Sequence, residues 1–161
     1  YSSGECCSAV TGKEDCCLLE QDVMPDRITK QHRSWNMSRI RSSNSKAELA
    51  VRSLLHGMGY RFRVNVKKLP GTPDIVLAKY RSVIFVHGCF WHRHPMCKYA
   101  YMPKSKVKFW NDKFKRNIER HDKVTKQLEQ LRWRVLTVWE CEIANISELR
   151  ETLSKWLPVK E

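Results

Sequence analysis

The sequence has no apolar run long enough to cross a membrane, and its start lacks the basic stretch and short hydrophobic core of a secretory signal. A soluble intracellular protein is therefore expected. No segment repeats, which excludes solenoids and propellers. No glycine-rich loop of the kind that cradles a nucleotide is present. Acids are also scarce, with 17 Asp and Glu against 30 Lys and Arg, for a formal charge of +13. With 161 residues the chain is one domain's worth and buries enough surface to fold without disulfide staples.

The charge is unevenly spread. Residues 1–26 hold six acids and one lysine, which leaves residues 27–161 at +18. A folded domain that basic points to a polyanion, most often nucleic acid, with a solvated basic face as the plainer alternative. The acidic segment 1–26 reads as a disordered leader and 27–158 as the functional domain. The cysteines divide in the same way: Cys6, Cys7, Cys16 and Cys17 lie in the leader, whereas Cys89, Cys97 and Cys141 lie among histidines in the basic part. Mixed Cys and His favour metal over disulfide.

Between these regions, DRITKQHRSWNMSRIRSSNSK is a polar, basic arm or short helix with Trp35, Met37 and Ile40 as isolated apolar residues. Apolar residues at 47, 50, 51, 54, 55 and 58 then predict a helix capped by Ser45. Tyr60, Phe62, Val64 and Val66 alternate as in a half-buried strand, a Pro-Gly turn leads into DIVLA, and SVIFV makes a third strand. Ser105 opens a long amphipathic helix with Phe109, Phe114, Ile118, Val124, Leu128 and Leu131 on its apolar face. RVLTVW is a fourth strand and SELRETLSKWL a closing helix. Strand, long helix, strand implies a crossover, so the fold class is α/β, a mixed central sheet flanked by helices.

Four groups of residues carry chemistry. Asp74 enters an apolar strand, where a carboxylate must be paired, hydrated or metal-bound; a turn-forming Pro-Asp is the plainer reading. His87 leaves the next strand, and neighbouring strands in register put it at the same sheet edge as Asp74, a plausible pair for phosphodiester cleavage with Mg²⁺, with a satisfied structural histidine as the equal alternative on this spacing. Cys89, His94, Cys97 and Cys141 make a donor set suited to structural Zn²⁺, against isolated buried cysteines as the alternative. Between the zinc candidates, Phe90 and Trp91 cannot both face a core from a tight loop, so at least one is expected at the surface, where aromatics stack on bases or wedge between base pairs; core packing is the competing reading and the usual one for either residue singly. Glu48 completes Ser-x-x-Glu with Ser45, so helix capping competes with a catalytic role.

The blocks NMSRIRSSNSKAELAVRSLL, LPGTPDIVL, VIFVHGCFWHRH, FWNDKFKRNIER and RWRVLTVWEC, in that order and spacing, resemble the very-short-patch repair endonucleases of bacteria. The likeness runs from about Asp26 to Pro158. It implies a restriction-endonuclease-like core and an enzyme that nicks one strand of duplex DNA beside a T:G mismatch. It further implies Asp74 as a Mg²⁺ ligand, with Val86 as a main-chain ligand, His87 and His92 as active-site histidines, and Glu48 as a catalytic-region glutamate. Zinc would take Cys89, His94, Cys97 and Cys141. Phe90, Trp91 and Trp110 would enter the duplex, with Met37 and Ile40 in the other groove. The implied setting is the bacterial cytoplasm at the nucleoid, as a monomer with no membrane attachment, with DNA and mismatch-repair proteins as partners. The sequence departs from the family pattern at three places. Val86 stands where threonine is usual, Met96 adds a residue before Cys97, and His121 stands where an aspartate is often found. The alternatives are a homing or restriction-type endonuclease on the same core and a zinc-stabilised DNA-binding module with impaired catalysis.

Overall fold

A computed structural model of the chain describes residues 29–39 and 43–158; the acidic leader and Ile40 lie outside the described residues. The elements in order are α1 (Lys30–Ser38), α2 (Lys46–Gly57), β1 (Arg63–Val64), β2 (Ile75–Leu77), β3 (Ser82–His87), α3 (Val107–Gln130), β4 (Arg134–Trp139) and α4 (Ile146–Trp156). The strands form one sheet in the order β1-β2-β3-β4. β1 with β2 and β2 with β3 are antiparallel, whereas β3 and β4 are parallel, joined by the α3 crossover. This is the mixed α/β sheet that the strand and helix periods predict.

Alternation along the strands builds two cores. Ile75 and Leu77 of β2, Ile84 of β3 and Val138 of β4 pack with Val51 and Leu55 of α2 and Leu149 and Leu153 of α4. The intervening Val76, Val83 and Phe85 pack on the opposite face with Leu128 of α3. β2 and β3 are thus covered on both faces, which is why they read as unbroken apolar runs. The same period of two sends His87, two residues beyond Phe85, towards the α3 face.

Three boundaries differ from expectation. The strand over residues 60–66 shrinks to Arg63–Val64. Tyr60 and Phe62 pack against the core outside the ladder, and Asn65 turns to a positive φ of 48° that ends the extended run. Ser105 is not the cap of α3; that position is Lys106, in a left-handed conformation without a side-chain cap. Ile118 and Leu131, expected on the buried face of α3, are exposed, and burial concentrates on Phe114 and Leu128. Ser45 does cap α2, reciprocally with Glu48. Gly71 of the Pro-Gly turn has a φ of +71°, and a Cβ there would lie 2.4 Å from Val124 Cγ1, so the turn seats against α3 only as glycine. α1 buries none of its residues and leaves Trp35 and Met37 exposed. Among the described residues no helix is long and apolar enough to cross a membrane.

Candidate active site

An open cleft of about 1320 Å³ runs along the edge of the sheet where β2 begins and β3 ends. Asp74, Glu48, Val86, His87, His92 and His121 all line it. The antiparallel register puts Asp74 beside the end of β3, and its Oδ2 accepts a hydrogen bond from the Val86 amide at 2.8 Å. Burial pushes the Asp74 carboxyl up to about 6. The Val86 amide and Arg52 oppose that rise, and nearby Glu48 adds to it. A carboxylate so placed suits a hard cation, which would replace the lost hydration.

Glu48 does more than cap. It is buried, and its carboxylate accepts from the Asn44 amide (3.0 Å), the Ser45 hydroxyl (3.0 Å) and Arg52 Nη2 (2.9 Å). The same Arg52 nitrogen lies 3.5 Å from the Asp74 carbonyl oxygen, so α2 is tied to the mouth of β2 through one guanidinium. The capping box and a place beside the Asp74 carboxylate therefore coexist in one side chain.

The histidines form a group of three. His87 and His92 stack with ring centroids 3.7 Å apart, and His121 of α3 meets His87 edge-on at 4.2 Å. His121 Nε2 lies 3.1 Å from Thr137 Oγ1 and 3.5 Å from Thr125 Oγ1, so hydroxyls of β4 and α3 orient its ring. Burial, followed by His92 and His121, drives His87 down to about 2. Burial and His121 lower His92 to about 4. Burial also lowers His121, with Asp122 acting against it. All three shifts favour the neutral imidazole, the form that can accept a proton. The buried Nδ1 of His92 has no hydrogen-bond partner among the described residues, an arrangement that costs energy unless something else engages it.

Buried neutral imidazoles make stability depend on pH. The unfolded chain takes a proton on each histidine near pH 6.5, whereas folded His87 does so only near 2, so stability falls as pH drops below 6.5. Asp74 works in the opposite direction between about 6 and 3.8, but it is one group against three. The melting temperature should fall from pH 7.5 to pH 5.5, and His87→Asn should flatten that fall. Identical pH profiles for the two proteins would contradict the buried neutral imidazole.

On the far side of the histidines, Cys89, His94, Cys97 and Cys141 converge, with their ligand atoms all within 4.8 Å of one another. His94 Nδ1 is 3.2 Å from Cys141 Sγ and 3.8 Å from Cys89 Sγ, and its ring stacks on Trp139 at 4.2 Å. Burial pushes the Cys141 thiol up to about 12 and Cys89 in the same direction, while the Tyr99 amide draws Cys97 down. Three sulfurs and an imidazole at this spacing could hold a metal ion, and the set is compatible with zinc. The additional Met96 does not spoil the set. It projects fully exposed, at a φ of 57°, and leaves Cys97 in reach of the other three.

Phe90 and Trp91 are both half-buried, so the expectation that at least one stands at the surface is not met. Phe90 is the hub of an aromatic cluster, 5.1 Å from Trp91 and Tyr101, 5.2 Å from Phe114 and 5.4 Å from Trp110. Lys113 Nζ lies 5.3 Å from the Trp91 ring, and Asn117 Nδ2 donates to the Trp91 carbonyl at 3.1 Å. Asn117, Arg120, His121 and Val124 line the cleft at i, i+3, i+4 and i+7, one face of α3. Sequence reasoning misses Asn117, Arg120 and Arg52; the helical spacing is the available signal for the first two.

The likeness to known proteins settles the family. A family model described as DNA mismatch endonuclease Vsr matches residues 25–98. The chain is 45% identical over 130 residues to the type II nicking enzyme V.XorIIP of Xanthomonas oryzae pv. oryzae, covering 81% of this chain and 95% of that protein. The chain belongs to the Vsr DNA mismatch endonuclease family. A further relative, the type II nicking enzyme V.NmeAIP of Neisseria meningitidis, is 43% identical over 132 residues, 82% of this chain and 94% of its own. The DNA mismatch endonuclease Vsr of Escherichia coli is 41% identical over 139 residues, 83% of this chain and 88% of its own. Membership of the Vsr family makes this chain a DNA endonuclease.

Proposed function

We propose that the cleft nicks one strand of duplex DNA beside a T:G mismatch, by Mg²⁺-assisted hydrolysis of a phosphodiester. The observation that carries this reading is the meeting of Asp74 with three mutually packed histidines in one cleft, next to an aromatic cluster beside a metal-competent loop. Asp74 and the main-chain carbonyl of Val86 would hold Mg²⁺. That ion, when bound, supplies Lewis-acid polarisation of the phosphate and stabilises charge on the leaving oxygen.

The chain's own groups do the rest. His92, held towards its neutral form by burial and with no partner for Nδ1 among the described residues, takes the proton from the attacking water. His87 stacks behind it and fixes its plane; His121, held by Thr137, fixes His87 in turn. The threonine hydroxyls thus supply the orientation that an aspartate would otherwise give. Glu48 locks Arg52, and with it the backbone at Asp74. Zn²⁺ on Cys89, His94, Cys97 and Cys141 would clip the loop that carries Phe90, Trp91 and His92 together, with no open position for substrate. Phe90, Trp91 and Trp110 would enter the duplex at the mismatch, while Met37 and Ile40 on the N-terminal arm take the other groove. The enzyme would act as a monomer in the bacterial cytoplasm, on nucleoid DNA and alongside mismatch-repair proteins.

Mismatch reading by the aromatics has a binding test. A mispaired step is weakly stacked, so opening it costs less than the few kcal/mol of a normal step. Phe90→Ala with Trp91→Ala should lower affinity for a T:G duplex about tenfold or more, with little change for the matched duplex. If the double variant keeps its full preference for T:G, the aromatics are core residues only.

A further inference from the structure

We propose that the segment from Lys98 to Phe109 is a second DNA-binding surface, which grips the sugar-phosphate backbone of the duplex next to the mismatch site. It rests on the reading of the cleft as a duplex-nicking site and extends it to a face outside that cleft. From Ile75 to Asn111 the chain contains no Asp or Glu. Within that acid-free stretch Lys98, Lys104, Lys106 and Lys108 are all exposed, and among the described residues none of them forms an ion pair.

A merely solvated basic face would have no reason to display aromatics, yet this one does. Tyr101 is 64% exposed, Tyr99 55% and Phe109 51%, with Met102 and Val107 exposed between them. Exposed apolar side chains gathered along one short segment are the kind of feature that marks an interaction site. Lysines interleaved with aromatics, without a single acid, match the phosphates and sugars of a nucleic acid better than a protein surface. The face is continuous with the proposed mismatch site: the Tyr101 ring is 5.1 Å from Phe90 and the Phe109 ring 5.4 Å from Trp110. A duplex seated on Phe90 therefore meets these lysines as it leaves the site.

The segment is also held in place. The Ala100 amide donates to the Cys97 carbonyl at 3.0 Å, and the Ala100 carbonyl accepts from Arg93 Nη1. At the other end the chain enters α3 through Lys106 in its left-handed conformation. With Ala100 tied to Cys97 and Arg93, and the Lys106 carbonyl accepting from the Trp110 amide at 3.1 Å, the two ends of the segment are placed before DNA arrives, which lowers the ordering entropy spent on binding.

The test uses the full chain and a matched duplex. In a variant carrying Lys98→Gln, Lys104→Gln, Lys106→Gln and Lys108→Gln, the slope of log affinity against log salt should fall by about 0.9 for each phosphate that is no longer neutralised. A drop of roughly 2 to 4 in slope is expected for the four substitutions together. Tyr99→Ala with Tyr101→Ala should weaken binding with the slope unchanged. In the unmodified protein, bound duplex should shield these four lysines from acetylation, while Lys155 on α4 reacts as before. A variant that keeps the wild-type slope, or lysines that acetylate equally with and without DNA, overturns the proposal and points instead to solvent or a protein partner. Failure of the wild-type chain to bind any duplex would overturn the nuclease reading as well, so the two failures are distinguishable.

Discussion

Replacing Asp74 with Asn is expected to reduce nicking of a T:G duplex by about a thousandfold or more, the scale on which a positioned charge-stabilising group contributes. DNA affinity should be largely spared, because on this account phosphate contacts and aromatic insertion would supply it. The same variant should melt at a higher temperature than the wild type. Burial raises the Asp74 carboxyl from 3.8 to about 6, so keeping it ionised at neutral pH works against folding by at most roughly 3 kcal/mol. Asparagine carries no charge and can still accept the Val86 amide bond. Loss of activity with gain of stability is the signature of a group kept for chemistry; a variant that loses both would mark Asp74 as a structural turn residue.

Cys141→Ser should have the largest effect on stability. Cys141 is half-buried, and as an isolated thiol its replacement by an isosteric hydroxyl would change stability by no more than about 0.5 kcal/mol. As one of four ligands it would tie the turn after β4 to the loop from Cys89 to Cys97, and its loss should release the metal and cost more than about 4 kcal/mol. Elemental analysis should find about one zinc per wild-type chain by the four-ligand logic and a marked deficit in the variant. Nicking should fall with it, because Phe90, Trp91 and His92 sit inside the clipped loop. A metal-free variant with wild-type melting would remove zinc from the account.

Much of this architecture is legible in the sequence where a period meets a buried face. β4 is found at 134–139 as read from RVLTVW, and the Ser45 cap of α2 is present. The meeting of Asp74 with His87 at one sheet edge follows from strand register, and the four residues of the metal-competent set from residue type alone. What escapes such a reading depends on distant segments meeting. No local pattern says that Arg52 bridges Glu48 to Asp74, or that Thr137 and Thr125 orient His121. The half-buried state of Phe90 and Trp91 is hidden in the same way, because the partners of Phe90, namely Tyr101, Trp110 and Phe114, lie well downstream of the loop. Met96 poses a question about loop geometry that only its outward bulge answers.

The most direct measurement is strand-resolved nicking of two duplexes that differ only at one pair, T:G against C:G, each assayed with and without Mg²⁺. The account predicts cleavage of one strand of the T:G duplex when Mg²⁺ is present, and almost none in the other three arms. Equal cutting of both duplexes would instead indicate a homing or restriction-type nuclease. Tight DNA binding without any metal-dependent cleavage would contradict the catalytic role of the Asp74 cleft and leave a zinc-stabilised DNA-binding module.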